Sequence, residues 1–139
     1  MNEYHPTDFE ELSFYTLSHP DPVYFIHQHI VDAYHAQTAD QRTKPITIIF
    51  ALIGLHLFVN KNYTGRQVQL VHMQLAKNKK TWPILTLPAS RGSILVSDVL
   101  KAAPGIQRDQ MIKEWCRDVW NAYADCHPMI LSTATNHSG

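Results

Sequence analysis

The chain of 139 residues has few charged side chains and no excess of either sign. Charged residues make up 17 % of it, and 12 Lys and Arg balance 12 Asp and Glu. Proteins that bind nucleic acids or anionic membrane surfaces usually carry a basic excess. We therefore expect neither a nucleic acid nor a membrane to be a partner.

Cysteine is also scarce, since only Cys116 and Cys126 are present. They lie ten residues apart on one predicted helix, so their Cα atoms should be about 15 Å apart. A disulfide needs Cα atoms within about 7 Å, and unpaired thiols are typical of the reducing cytoplasm. The N-terminal residues lack the apolar core of a secretory signal. We predict a cytoplasmic protein.

Long hydrophobic runs are missing as well. The longest, Ile46 to Val59, has 14 residues, whereas a helix that spans a bilayer needs about 20. This run is apolar nearly all round, which is typical of a central, buried helix. Its one glycine, Gly54, indicates close helix packing rather than ligand contact.

Apolar residues recur with the 3.6-residue period of an α-helix in four separate segments. The sequence therefore predicts an all-α fold, a bundle of four main helices with one or two short ones. The main helices are predicted at residues 21–38, 45–59, 64–80 and 107–126, and the short ones at 8–17 and 97–103.

Capping residues and prolines predict where the helices begin and where loops lie. Asp21-Pro22 is a start signal, and Thr64 with Gln67 fits a capping box. Residues 81–92 combine prolines with apolar side chains, which predicts a loop packed on the surface of the bundle. We predict one helical domain, residues 1–128, and a frayed tail, residues 129–139.

The stretch HQHIVDAYHAQ is unusually polar for a helix with apolar flanks. At 100° per residue, His27 and Tyr34 fall on its apolar face, whereas Gln28, Asp32 and His35 form a second stripe. The functional interpretation is a polar cluster that lines a cavity between helices. The alternative is a solvated face beside a core histidine that has found a hydrogen bond, which is the commoner fate of buried polar groups.

The functional interpretation predicts that polar and aromatic side chains converge on one interior region to bind a small molecule. The candidate ligand-binding residues are His27, Asp32, Tyr34, Gln37 and Trp120.

Nine histidines also suggest a metal site, although the strong local signatures HxxxH, HExxH and CxxC are absent. A helical bundle can build a metal site from side chains of several helices. The candidate ligands are His27, His56 and His127, which together with water would suit zinc or a similar divalent ion. The alternative is three separate histidines with structural roles.

Two motifs carry a resemblance to a known family. HxxxxDAYxxQ at residues 27–37 and WCxxVWxAY at residues 115–123 look like those of small bacterial proteins grouped only as a domain of unknown function. The resemblance covers about residues 21–123 and implies no activity, substrate or cofactor. The fold is also similar to the DinB-like four-helix bundles with histidine metal sites, which is an analogy of fold alone.

Two hypotheses about function stay open. The first is a cytoplasmic bacterial domain that binds a small ligand or a divalent metal between helices, and whose enzymatic form would be a metal-dependent hydrolase or transferase. The second is a non-enzymatic interaction module, a homodimer that uses the loop around Trp82.

Overall fold

The computed structural model describes residues 6–18, 24–78 and 81–137. These residues form seven α-helices, one 3-10 turn and no strand, so the predicted all-α fold is confirmed. The helices are α1 (Pro6–Ser18), α2 (Ile26–Thr38), α3 (Pro45–Lys61), α4 (Gly65–Asn78), α5 (Val96–Lys101), α6 (Ile106–Ala122) and α7 (His127–His137), and the 3-10 turn is Ala124–Cys126.

Helix α3 lies at the centre and packs against α2, α4, α6 and α7. Every residue from Ala51 to Leu57 is buried, because a helix that is apolar on all sides is stable only when other helices surround it. Pro45 occupies its first turn, and Asn62 ends it in the left-handed conformation. In the part of the chain described, no helix is long and apolar enough to cross a membrane.

The observed start of α4 agrees with the start predicted from the sequence, whereas the observed start of α2 differs from its prediction. The amide of Thr64 donates to Gln67 Oε1 (2.8 Å) and the amide of Gln67 donates to Thr64 Oγ1 (3.1 Å), which is the predicted capping box. Helix α2 begins at Ile26 because Phe25, with φ 44°, is left-handed and cannot belong to the helix. The predicted start at Asp21-Pro22 lies outside the described residues.

The loop of residues 81–92 packs on the bundle, as the sequence predicts. Trp82, Leu85 and Leu87 are partly buried against the core, whereas Ile84 is 84 % exposed. The guanidinium group of Arg91 donates to the main-chain oxygen of Ala39, which ties the loop to the end of α2.

The C-terminal segment differs from the prediction of a frayed tail from residue 129. Helix α6 ends at Ala122, and α7 turns back to pack against α3 and α4. Ile130 is fully buried and Thr133 nearly so, because their spacing of three residues places both on one face of α7. Cys116 and Cys126 therefore lie on different elements, and both are free thiols.

Replacing Ile130 by valine should lower the free energy of unfolding by about 0.5–1.5 kcal/mol, because the lost methyl group leaves a gap in the core. Leu131→Ala, at a side chain 40 % exposed, is the control and should change it by less than about 0.5 kcal/mol. Chemical denaturation of both variants measures the difference. Equal, negligible effects would show that α7 does not contribute to the core.

Candidate functional site

Helices α2 and α3 approach each other closely at Asp32 and Gly54. A Cβ atom added at Gly54 would overlap Asp32 Oδ2, and it would lie 2.7 Å from Asp32 Cγ and 3.2 Å from Val68 Cγ1. The absence of a side chain at position 54 is therefore what makes room for a carboxyl group between two core helices. Asp32 is 3 % exposed, so this carboxyl group is part of the protein interior.

The two oxygens of the Asp32 carboxyl group have different surroundings. Oδ1 accepts a hydrogen bond from Gln28 Nε2 (3.0 Å), and Gln28 Oε1 accepts one from Gln69 (3.3 Å) on α4. Oδ2 is buried and has no hydrogen-bond partner. Burial raises the pKa of Asp32 well above its usual value, and the bond from Gln28 offsets only part of this shift. The raised pKa favours the protonated acid to a higher pH than at an exposed aspartate.

Asp32 lies in the wall of a cavity of about 330 Å³ between α2, α3 and α4, here called the Asp32 cavity. Polar side chains from all three helices line it, together with apolar residues of α3. The polar ones are Gln28, Asp32, His35, Thr47 and His72. The second stripe predicted on α2 therefore faces this cavity.

His72 supplies a second hydrogen-bond acceptor beside the Asp32 cavity. Its Nε2 lies 2.8 Å from the main-chain oxygen of Phe50, so Nε2 carries the hydrogen and donates. Burial lowers the pKa of His72, which keeps the ring neutral at pH 7 and leaves Nδ1 as an acceptor. The ring also stacks on Phe50, with the ring centroids 5.0 Å apart.

Two further buried ionisable groups, His29 and Cys116, lie near Asp32. Burial lowers the pKa of His29 to about 4, and its Nδ1 atom has no partner. The Cys116 thiol donates to the main-chain oxygen of His29 (3.7 Å). Burial, and secondarily the charge of Asp32, raises the pKa of Cys116 far above its usual value. Since the thiolate is the reactive form, Cys116 is unsuited to nucleophilic catalysis.

Gln37 lies in the core. Its Oε1 accepts a hydrogen bond from Trp115 Nε1 (3.1 Å), and its Nε2 donates to the main-chain oxygen of Ile94 (2.8 Å). Gln37 is 1 % exposed. These bonds connect α2, α6 and the segment before α5, and ligand binding by Gln37 stays a prediction.

His27 and Tyr34 both face α1. His27 Nδ1 lies 2.9 Å from Thr16 Oγ1, and the Tyr34 ring stacks on Phe9 with centroids 4.0 Å apart. Neither residue is among those that line the Asp32 cavity. This part of the apolar stripe predicted on α2 therefore packs against α1.

Trp120 brings together two of the three candidate metal ligands. His127 stacks on its indole at 3.7 Å between centroids, and His56 lies 5.7 Å away at a tilt of 36°. His127 Nε2 donates to the main-chain oxygen of Trp120 (2.8 Å), and His56 Nδ1 accepts from Asn60 (2.9 Å). Each histidine thus already uses one ring nitrogen within the protein.

A shared metal site of His27, His56 and His127 finds no support in this arrangement. Among the described residues, no group of three or more His, Cys, Asp or Glu side chains is placed to hold one ion. His27 bonds to α1, whereas His56 and His127 flank Trp120. The predicted convergence of all the candidates on one region stays a prediction that these contacts do not favour.

Sequence reasoning did not predict that Gly54 lies against the Asp32 carboxyl group, or that His29 is buried nearby. The sequence indicates close packing at Gly54, but nothing local indicates that a carboxyl group fills the space. The available signal is a glycine inside the most apolar helix, paired with an aspartate on the neighbouring predicted helix. His29 carries no periodic signal, since it lies on neither predicted stripe of α2.

The fold and this site define an all-α helical bundle with a protonatable carboxyl group buried beside a cavity between three helices. A family model matches residues 7–124, and the chain belongs to that family, described as a family of unknown function (DUF5946). No protein of curated function and no solved structure matches the chain.

Proposed function

We propose that the protein binds a small primary amine, as its ammonium ion, in the Asp32 cavity. The observation that carries this proposal is the Asp32 carboxyl group, buried at the cavity wall with one oxygen unpartnered. A buried polar group without a partner costs about 1–3 kcal/mol, and such costs are typical of functional sites. A ligand that neutralises the carboxylate offsets this cost.

The sign of the charge follows from the residues around the cavity. Asp32 and neutral His72 supply acceptors, and none of the described residues that line the cavity is a lysine or arginine. An anion would find no counter-charge there, whereas an ammonium group has N–H donors for both acceptors. The volume of about 330 Å³ suits a molecule of a few heavy atoms.

Proton balance gives the proposal a second signature. Burial raises the pKa of Asp32, so the free protein keeps this proton to a higher pH than an exposed aspartate does, whereas an ammonium ion binds best to the carboxylate. Binding therefore releases one proton from Asp32 to solvent while the amine keeps its charge. We expect affinity to rise with pH up to the native pKa of free Asp32, to stay level above it, and to fall where the amine itself loses its proton.

The test is calorimetric titration with methylammonium and ethanolamine, beside the neutral analogue acetamide and the anion acetate. Only the amines should bind, with release of a proton seen as a dependence of the heat on the buffer. Asp32→Asn should weaken binding about tenfold or more, because a hydrogen bond to a charged group contributes about 1.5–3 kcal/mol.

Asp125→Asn, at an exposed carboxyl group, is the matched control and should bind as the parent does. Binding of acetate, or equal binding by Asp32→Asn, would refute the proposal. A titration with zinc completes the design. Tight zinc binding that Asp32→Asn removes would point instead to a metal site.

A further inference from the structure

A second cavity, of about 300 Å³, lies where the residues before α2 meet the end of α3 and the starts of α4 and α6; it is called the aromatic cavity here. Its walls include the rings of Tyr24, Phe58 and Tyr63, and the carboxyl group of Asp109 is part of its lining. It shares no lining residue with the Asp32 cavity. The two are therefore separate candidate sites.

Contacts on several sides hold the walls of the aromatic cavity. The Phe58 ring stacks on buried His29, with centroids 3.7 Å apart and planes within 10°. The amide of Gly65, the first residue of α4, donates to the main-chain oxygen of Tyr24. The amide of Tyr63 donates to the main-chain oxygen of Leu57 in the last turns of α3 (3.0 Å). The backbone at Tyr24 is thus hydrogen-bonded to α4, and the backbone at Tyr63 is hydrogen-bonded to α3.

The charge of the aromatic cavity is negative. Asp109 is exposed, and its Oδ1 accepts a hydrogen bond from Tyr15 (2.8 Å). His29 is neutral at pH 7, because burial lowers its pKa to about 4. Arg108, next to Asp109 in the chain, donates to two main-chain oxygens at the end of α5. None of the described residues that line the cavity is a lysine or arginine.

We propose that the aromatic cavity binds a quaternary ammonium group. Three aromatic rings and one carboxylate are the surroundings that attract an alkylated cation, which has no N–H to donate and gains from ring faces and from burial of its methyl groups. A quaternary ammonium has no N–H to donate to the acceptors of the Asp32 cavity, so it is a poor ligand for that cavity. The inference is therefore independent of the function proposed above.

Tetramethylammonium chloride is the probe, with sodium chloride at equal ionic strength as the reference. Saturation transfer from protein to the probe methyl groups, followed over a titration, measures the dissociation constant. The parent should bind the probe saturably. Tyr63→Leu and Asp109→Asn should each raise the dissociation constant about fivefold or more, since a partly desolvated cation–π contact contributes about 1–2 kcal/mol.

Phe50→Leu is the matched control, because Phe50 is an aromatic residue of α3 that lines the Asp32 cavity and not the aromatic cavity. It should leave the dissociation constant for tetramethylammonium unchanged. Asp109→Asn keeps an acceptor for Tyr15 at an exposed position, so it tests the charge without disturbing the fold. Absence of saturable binding by the parent, or equal weakening by Phe50→Leu and Tyr63→Leu, would overturn the proposal.

Discussion

Replacing Gly54 by alanine is expected to lower the free energy of unfolding by about 3 kcal/mol or more, at the upper end of the cost of overpacking a core. The new Cβ atom would overlap Asp32 Oδ2, so α2 and α3 must separate or the carboxyl group must turn away. Helix α3 has little free space behind it, since it packs against four helices. Chemical denaturation of the variant measures the loss.

A double-mutant cycle identifies the cause of that loss. In the background of Asp32→Ala, the carboxyl group is gone and Gly54→Ala should cost much less. We expect a coupling energy of about 1–3 kcal/mol between the two positions, which is typical of residues in direct contact. If the two losses simply add, the carboxyl group does not occupy the space above Gly54.

Periodicity is sufficient to predict helices α1 to α6 and the centre of the bundle. The run around Leu52 is apolar on every side, and only the middle of a bundle buries such a helix. The capping box of Thr64 and Gln67 is a local arrangement of four residues, so the sequence alone defines it. These features depend on neighbours in sequence, which is why sequence reasoning finds them.

Long-range contacts account for what the sequence could not provide. Val31 and Tyr34 satisfy the helical period equally well whether they face the centre or α1, and the structure places Tyr34 against α1. The buried positions of α2 include small and polar residues, such as Ala33 and Asp32. A hydrophobicity scale assigns a lone aspartate to the surface. Asp32 is buried nevertheless, because Gly54 has no side chain and leaves space for the carboxyl group.

The C-terminal tail escapes prediction for a related reason. Pro128 follows the residues predicted to end the last helix, and proline is common just after a helix end. Proline is also common in the first turn of a helix, and here it lies in the first turn of α7. A single proline does not distinguish the two cases. The burial of Ile130 against other helices decides between them.

The substitution Asp32→Asn is expected to stabilise the protein at neutral pH and to remove part of its pH dependence. The native pKa of Asp32 is raised by burial, whereas in the unfolded chain the group ionises near pH ~4. Between these two pKa values the native state holds a proton that the unfolded state has lost, so the stability of the parent falls as pH rises. The Asp32→Asn variant has no ionisable group at this position and lacks this contribution.

The free energies of unfolding of parent and Asp32→Asn should therefore differ little below about pH 4. Above it, the variant should gain on the parent by about 1.4 kcal/mol per pH unit until the native pKa of Asp32 is reached, after which the gap stays constant. Denaturant titrations at intervals from acid to neutral pH measure this gap. Asp125→Asn, at an exposed carboxyl group, should show no comparable gap. A parent that equals or exceeds Asp32→Asn in stability at pH 7 would mean that a partner within the fold stabilises the carboxylate, and the buried acid would then be structural.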